Sequence, residues 1–175
     1  MACSAVRIET GQTREEAVES AEVRARGIRA EWATRIKSVS PTEIAALEAD
    51  LIGQVVDIYV GFGRRVAAQW REAEAGRGEV VTAEEMRKMI DLWVEREWPI
   101  LKAREDNVEY GADRMREDAI VSELALEAVN KLLLHMYEVY NAVFFPMGTL
   151  SDYEVGLDRA HQEAQRLMQQ YRQLI

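Results

Sequence analysis

The chain reads as an all-α protein, an elongated bundle of about five helices closed by a C-terminal antiparallel helical hairpin, and three observations predict this. First, Ser or Thr followed three residues later by Glu recurs at Thr13/Glu16, Ser40/Glu43, Thr82/Glu85 and Ser151/Glu154. In this capping box each side chain satisfies a backbone amide that a helix start leaves unpaired. Second, the segments behind these starts carry apolar residues at alternating spacings of three and four, the period of an amphipathic helix. Third, the only β-like run, Glu79 to Val81, is too short to build a sheet.

Taken in order, the first helix is expected over about 14 to 38, with Val18, Ala21, Ala25, Ile28, Trp32 and Ile36 in a narrow stripe among Arg and Glu. A narrow stripe needs one partner face, which its own bundle or a neighbouring subunit can supply. The second helix starts at Ser40-Pro41-Thr42-Glu43, where proline at the first helical position costs nothing. Its stripe is Ile44, Leu47, Leu51, Val55, Ile58, Phe62, Val66 and Trp70. Inside it lies Gly61-Phe62-Gly63-Arg64-Arg65; each glycine costs roughly 1 kcal/mol relative to alanine in a helix interior. Close packing of another helix or a kink would compensate better than a phosphate-binding turn, which lacks the remaining glycines and the Lys-Ser/Thr of a phosphate loop.

Gly76-Arg77-Gly78 closes that helix, and a third is expected over about 83 to 97, presenting Met86, Ile90, Trp93 and Val94 and ending near Trp98-Pro99. The charged segment from Ile100 to Arg116, interrupted by Asp106-Asn107 and Gly111, is expected to be partly helical. Glu117 to Phe145 has neither Pro nor Gly and carries two apolar rows. One is Met115, Ala119, Leu126, Val129, Leu133, Met136, Tyr140 and Val143; the other is Val121, Ala125, Ala128, Leu132, His135 and Val139. A helix covered on two sides follows, with only Glu123, Glu127, Asn130, Lys131, Glu138 and Asn141 as its polar strip.

Pro146 to Leu150 makes a stop and a turn, and the last helix, 152 to 174, has a seam of Tyr153, Leu157, Ala160, Ala164, Leu167, Tyr171 and Leu174. Its small residues allow close approach, so Ala160 or Ala164 should meet apolar residues near Leu133 and Met136. Residues 1–40 thus form an N-terminal helical arm and 41–175 the bundle, with 117–175 as its core hairpin.

Composition narrows the function. Cys3 is the single cysteine, which excludes a disulfide framework and a cysteine zinc site and fits a reducing compartment. No apolar run has the length of a signal or a membrane span, so a cytoplasmic protein without membrane contact is expected. A net charge of -9 opposes binding to a polyanion, although residues 1–40 hold seven basic against six acidic residues, leaving a phosphate-facing or simply solvated first helix.

No catalytic, metal-binding or cofactor-binding residue is assigned, and an enzyme is not expected. A carboxylate di-metal bundle needs Glu-x-x-His pairs aimed inward, which the sequence lacks, and a metalloprotein is the remotest reading. His135 belongs to an apolar row and reads as a core histidine bonded to Asn, Glu or a backbone carbonyl. His161 lies beside the last seam, near an outward Asp158. Pairs such as Glu15/Glu16, Glu84/Glu85 and Glu105/Asp106 read as solvated surface. Four tryptophans are many for a small bundle, and large aromatics are favoured anchors at interfaces. A homo-oligomer is the economical inference, with Val18, Ile28, Trp32, Trp70, Trp93, Trp98, Tyr140, Phe144 and Phe145 as interface candidates.

Leu124-Ala125-Leu126-Glu127-Ala128-Val129, the aromatics Tyr137, Tyr140, Phe144 and Phe145, the turn Pro146 to Leu150, and Ala160, Ala164, Leu167 and Tyr171 resemble the hairpin of tailed-bacteriophage head-to-tail adaptor (connector) proteins. The resemblance covers about a third of the chain. It implies a structural subunit of a virion ring, assembled in the host cytoplasm, with portal and tail proteins as partners and DNA passing nearby without specific binding. The alternative is a cytosolic helical module, regulatory or toxin-related, whose groove takes a partner helix.

Overall fold

The computed structural model describes residues 13–118 and 120–175. Cys3, Arg7 and the rest of the first twelve residues, with Ala119, lie outside the described residues. Five helices follow one another: α1 (Arg14–Lys37), α2 (Pro41–Arg77), α3 (Ala83–Glu117), α4 (Glu123–Phe144) and α5 (Leu150–Leu174). Among the described residues there is no strand; the all-α bundle is as expected. No helix among them is long and apolar enough to cross a membrane.

α2 is the helix on which most of the bundle packs. At 37 residues it is the longest of the five, and it packs on α3, α4 and α5 together. Beyond the expected stripe it buries a second face, including Ala45, Ala49, Ile52, Val56, Tyr59 and Val60. α3 returns antiparallel to α2 across a short connection, where the Trp70 indole N–H donates to the Val81 carbonyl at 2.9 Å. α5 also runs antiparallel to α2, as the ion pairs Arg172–Asp50 (2.7 Å) and Arg64–Asp158 (3.5 Å) show. α4 and α5 form the expected antiparallel hairpin, tied by the Tyr153 hydroxyl donating to the Val143 carbonyl (2.8 Å) and by His135 Nε2 against the Ala160 carbonyl (2.8 Å).

α1 lies along α3 in the same direction. Arg14 pairs with Glu95, Arg29 with Asp106 at 2.8 Å, and the Asn107 amide donates to the Ile28 carbonyl at 3.3 Å. Its narrow stripe of Ala21, Ala25, Trp32 and Ile36 is therefore covered by the chain itself.

Several boundaries depart from the sequence expectation for physical reasons. The helix expected to end near Trp98-Pro99 instead runs unbroken to Glu117, with Pro99 inside it. An internal proline leaves the carbonyl four residues earlier without its partner. Here that residue is Glu95, exposed to solvent, while Leu101, Ala103, Val108, Ala112 and Met115 bury on the far side and hold the helix together. The next helix starts at Glu123 rather than at Glu117: Ser122 caps it, its hydroxyl accepting from the Ala125 amide at 3.2 Å. α5 is capped by Thr149 with Asp152, not by Ser151 with Glu154; Glu154 pairs with Arg71 instead. The capping boxes at Thr13, Ser40 and Thr82 are present as expected.

Gly61 and Gly63 differ. A Cβ on Gly63 would lie 2.6 Å from Leu157 Cδ2, so this glycine lets α5 approach closely, whereas a Cβ on Gly61 would meet nothing within 4 Å. Their amides belong to an unbroken helix, which removes the phosphate-turn reading.

Candidate protein-interaction surface

Aromatic side chains from α2, α3 and α4 join into one cluster that begins in the core and ends at the surface. Tyr59 and Phe62 of α2 are buried, and both meet Phe144 of α4, at ring separations of 5.6 and 4.9 Å. Phe62 stacks on Trp93 of α3 at 4.2 Å, and the Arg65 guanidinium lies 4.7 Å above the Trp93 ring. Tyr140 meets Tyr59 at 5.6 Å, Phe144 at 4.6 Å, and both Trp98 and Phe145 at 6.2 Å. Trp98 is 37% exposed and Phe145 50% exposed. Centroid distances of 4.5–7 Å are those at which aromatic pairs attract beyond area burial. The outer rings are thus held from beneath, which lowers the entropy lost when something packs on them.

Polar groups anchor the inner end. The Tyr59 hydroxyl donates to the Glu105 carboxylate, and Glu105 is itself buried, which raises its pKa above the usual carboxylate value. Burial, then the bond to Glu105, pushes the Tyr59 hydroxyl far above its ordinary value. Glu105 therefore departs from the solvated surface expected of Glu105/Asp106; it lies where α3 faces α2. Next to it Asp106 is bound by Arg29 at 2.8 Å and Lys102 at 3.1 Å, and Tyr137 bonds to Glu109.

Of the nine interface candidates, Trp93, Trp98, Tyr140, Phe144 and Phe145 come together in this cluster. Phe144 is buried within it, Trp93 and Tyr140 are half-buried, and the two open rings are Trp98 and Phe145. Val18, Ile28 and Trp32 lie on α1, Trp32 buried and the others half-buried. Trp70 is enclosed in the core, its ring 5.6 Å from Tyr153. Trp32, Trp70 and Phe144 are therefore covered by this chain's own helices, Trp32 where α1 lies on α3 and the other two where α2, α4 and α5 meet.

The histidines fall into structural settings. His135 Nδ1 lies 2.9 Å from Glu138 and its Nε2 at the Ala160 carbonyl, so both ring nitrogens are engaged. His161 lies 3.4 Å from Asp57. Among the described residues, no group of three or more His, Cys, Asp and Glu side chains is placed to hold a metal ion.

Two features escaped sequence reasoning. Glu48, on the second face of α2, is fully buried with neither carboxylate oxygen hydrogen-bonded, pressed against Gly111 of α3. Burial raises its pKa well above the carboxylate range, against the opposing pull of Arg116. The other is on α4. Within α4 the members of both apolar rows are buried or half-buried as expected, but Leu124 and Leu134, 66% and 67% exposed, stand in its polar strip. Neither fits either row, which was the available signal. Beside Leu134 a groove of about 580 Å³ opens between α3 and α4, lined by Ala112, Arg116, Leu133 and Tyr137 among others. Comparison with protein-family models, curated proteins and solved structures gives no match to this chain.

Proposed function

We propose that this chain is a non-enzymatic structural subunit that associates with copies of itself, and that it serves as a head-to-tail adaptor between the portal and tail of a tailed bacteriophage. The observation that carries self-association is the aromatic cluster: Trp98 and Phe145 open to solvent and are braced from below by Tyr140, Phe144 and Tyr59. Interface energy concentrates in such rigid aromatic anchors. The adaptor assignment rests on the resemblance of the C-terminal hairpin. The net charge of -9 agrees with it, since a like-charged lining removes the phosphate contacts through which DNA would stick. In this reading the chain works in the virion after assembly in the host cytoplasm.

Light scattering on the purified chain tests self-association. The expected mass is a multiple of 20.0 kDa, falling toward one copy in a Trp98→Ala, Phe145→Ala double variant that still melts as a cooperatively folded helical protein. A single copy at every concentration up to the solubility limit overturns the proposal. The α3–α4 groove favours a second reading, a cytosolic module that accepts a helix from a different protein. A single-copy particle binding one host protein through that groove, and losing it on Leu134→Asp, would select that reading.

A further inference from the structure

The outward face of α4 repeats with a seven-residue period that is symmetric about its own middle. Leu124, Lys131, Glu138 and Phe145 stand seven residues apart on one stripe, with Leu134 between the central two. All five are exposed. The midpoint between Leu124 and Phe145 is also the midpoint between Lys131 and Glu138, and it falls beside Leu134. Placed antiparallel to a second copy of itself around a two-fold axis at that midpoint, the helix brings unlike partners level twice over. Lys131 meets the other copy's Glu138, and Leu124 meets the other copy's Phe145. The two Leu134 side chains straddle the axis.

We infer that the partner of this face is a second copy of the chain, docked antiparallel along α4 as a two-fold dimer. The inference rests on the self-association reading and specifies how the second copy sits. A two-fold contact is self-complementary, each residue meeting a different one on the other copy, and a stripe with reflected charge is what that symmetry requires. A parallel pairing in register would set Lys131 against Lys131 and Glu138 against Glu138, and like charges placed opposite one another are strongly disfavoured.

The intramolecular partners do not compete strongly. Lys131 pairs with Glu127 at 3.1 Å and Glu138 with His135 at 2.9 Å, but Lys131, Glu127 and Glu138 are 62%, 63% and 73% exposed, and exposed pairs contribute little. The groove beside Leu134 has room at its mouth for the other copy's leucine. Phe145, capped by the other copy's Leu124, joins this face to the aromatic cluster through Tyr140.

Cross-linking and charge reversal test the arrangement in the full chain with Cys3→Ser. Leu134→Cys should oxidise to a covalent dimer, because the two positions straddle the axis within disulfide reach. Lys131→Cys should not, since two such residues lie about 10 Å apart along the helix. Lys131→Glu or Glu138→Lys alone should weaken association by roughly tenfold or more, and the two together should restore it. Association without the Leu134 cross-link and without charge rescue overturns the α4 dimer and leaves self-association standing. A single copy in solution before any substitution overturns both.

Discussion

Glu48→Met should make this protein more stable at neutral pH, although it removes a charge from a chain of modest size. The side chain is fully buried, neither oxygen has a hydrogen-bond partner, and the carboxylate lies against the backbone of Gly111. A buried polar group left unsatisfied costs about 1–3 kcal/mol, and more when charged. Methionine keeps the unbranched shape and has no such demand, so a gain of about 1–3 kcal/mol is expected. For a chain of this length each kcal/mol moves the melting temperature by about 2–4 °C, giving a rise of roughly 2–12 °C. The gain should depend on pH in a defined direction. The unfolded carboxyl releases its proton near the ordinary value of 4.5, whereas the folded one holds it to higher pH. Between those two values the native state binds more protons than the unfolded state, so stability falls as pH rises, by at most about 1.4 kcal/mol per pH unit. Below about 4.5 this group contributes no slope. Glu48→Gln removes the titration while keeping an unpartnered polar group, and isolates the pH-dependent part. Thermal melts of the three proteins from pH 4 to pH 9 make the comparison. A fall in stability on Glu48→Met at neutral pH, or wild-type and Glu48→Gln profiles that run parallel, would show that the carboxylate has partners and that the reasoning fails.

Two other perturbations separate neighbouring causes. Gly63→Ala should destabilise by about 1–3 kcal/mol because its methyl would press on Leu157, while Gly61→Ala, in open space on the same helix, should stabilise by up to about 1 kcal/mol; urea melts that show the same sign for both would refute the close-approach assignment. Tyr59→Phe leaves the Glu105 carboxylate without its hydroxyl donor and should cost about 1–3 kcal/mol at neutral pH, with a smaller cost in acid where Glu105 holds its own proton; a loss independent of pH would assign the effect to packing alone.

Helix starts governed by neighbours three residues apart could be read directly from the chain, because a cap is a local bargain between one side chain and one amide. Thr13, Ser40 and Thr82 show this. Ser122 was missed because Ala125 stands where a glutamate would complete the box, and Thr149 because aspartate completes it instead. Pro99 illustrates the opposite limit. Its local preference is to end a helix, and only burial on both sides of it, contributed by residues distant in sequence, overrides that preference. Glu105 looked like surface because it stands in a charged stretch, and Glu48 lay off the one stripe expected of α2; the burial of both follows from three helices converging on α2. The aromatic surface was partly legible. Residue type nominated Trp98, Tyr140 and Phe145, but only the fold separates these from Trp70, which has its own chemistry to satisfy at Val81.

The seam between α2 and α5 joins residues made far apart in time. The Tyr171 hydroxyl donates to the carbonyl of Ala45, 126 residues earlier. During translation α2 leaves the ribosome long before the helix that seals its Gly63 face exists, so the nascent chain carries an open greasy flank through most of its synthesis. Loss of α5 through a premature stop would leave that flank open permanently, and the expected fate of such a product is aggregation or proteolysis rather than a smaller working fold.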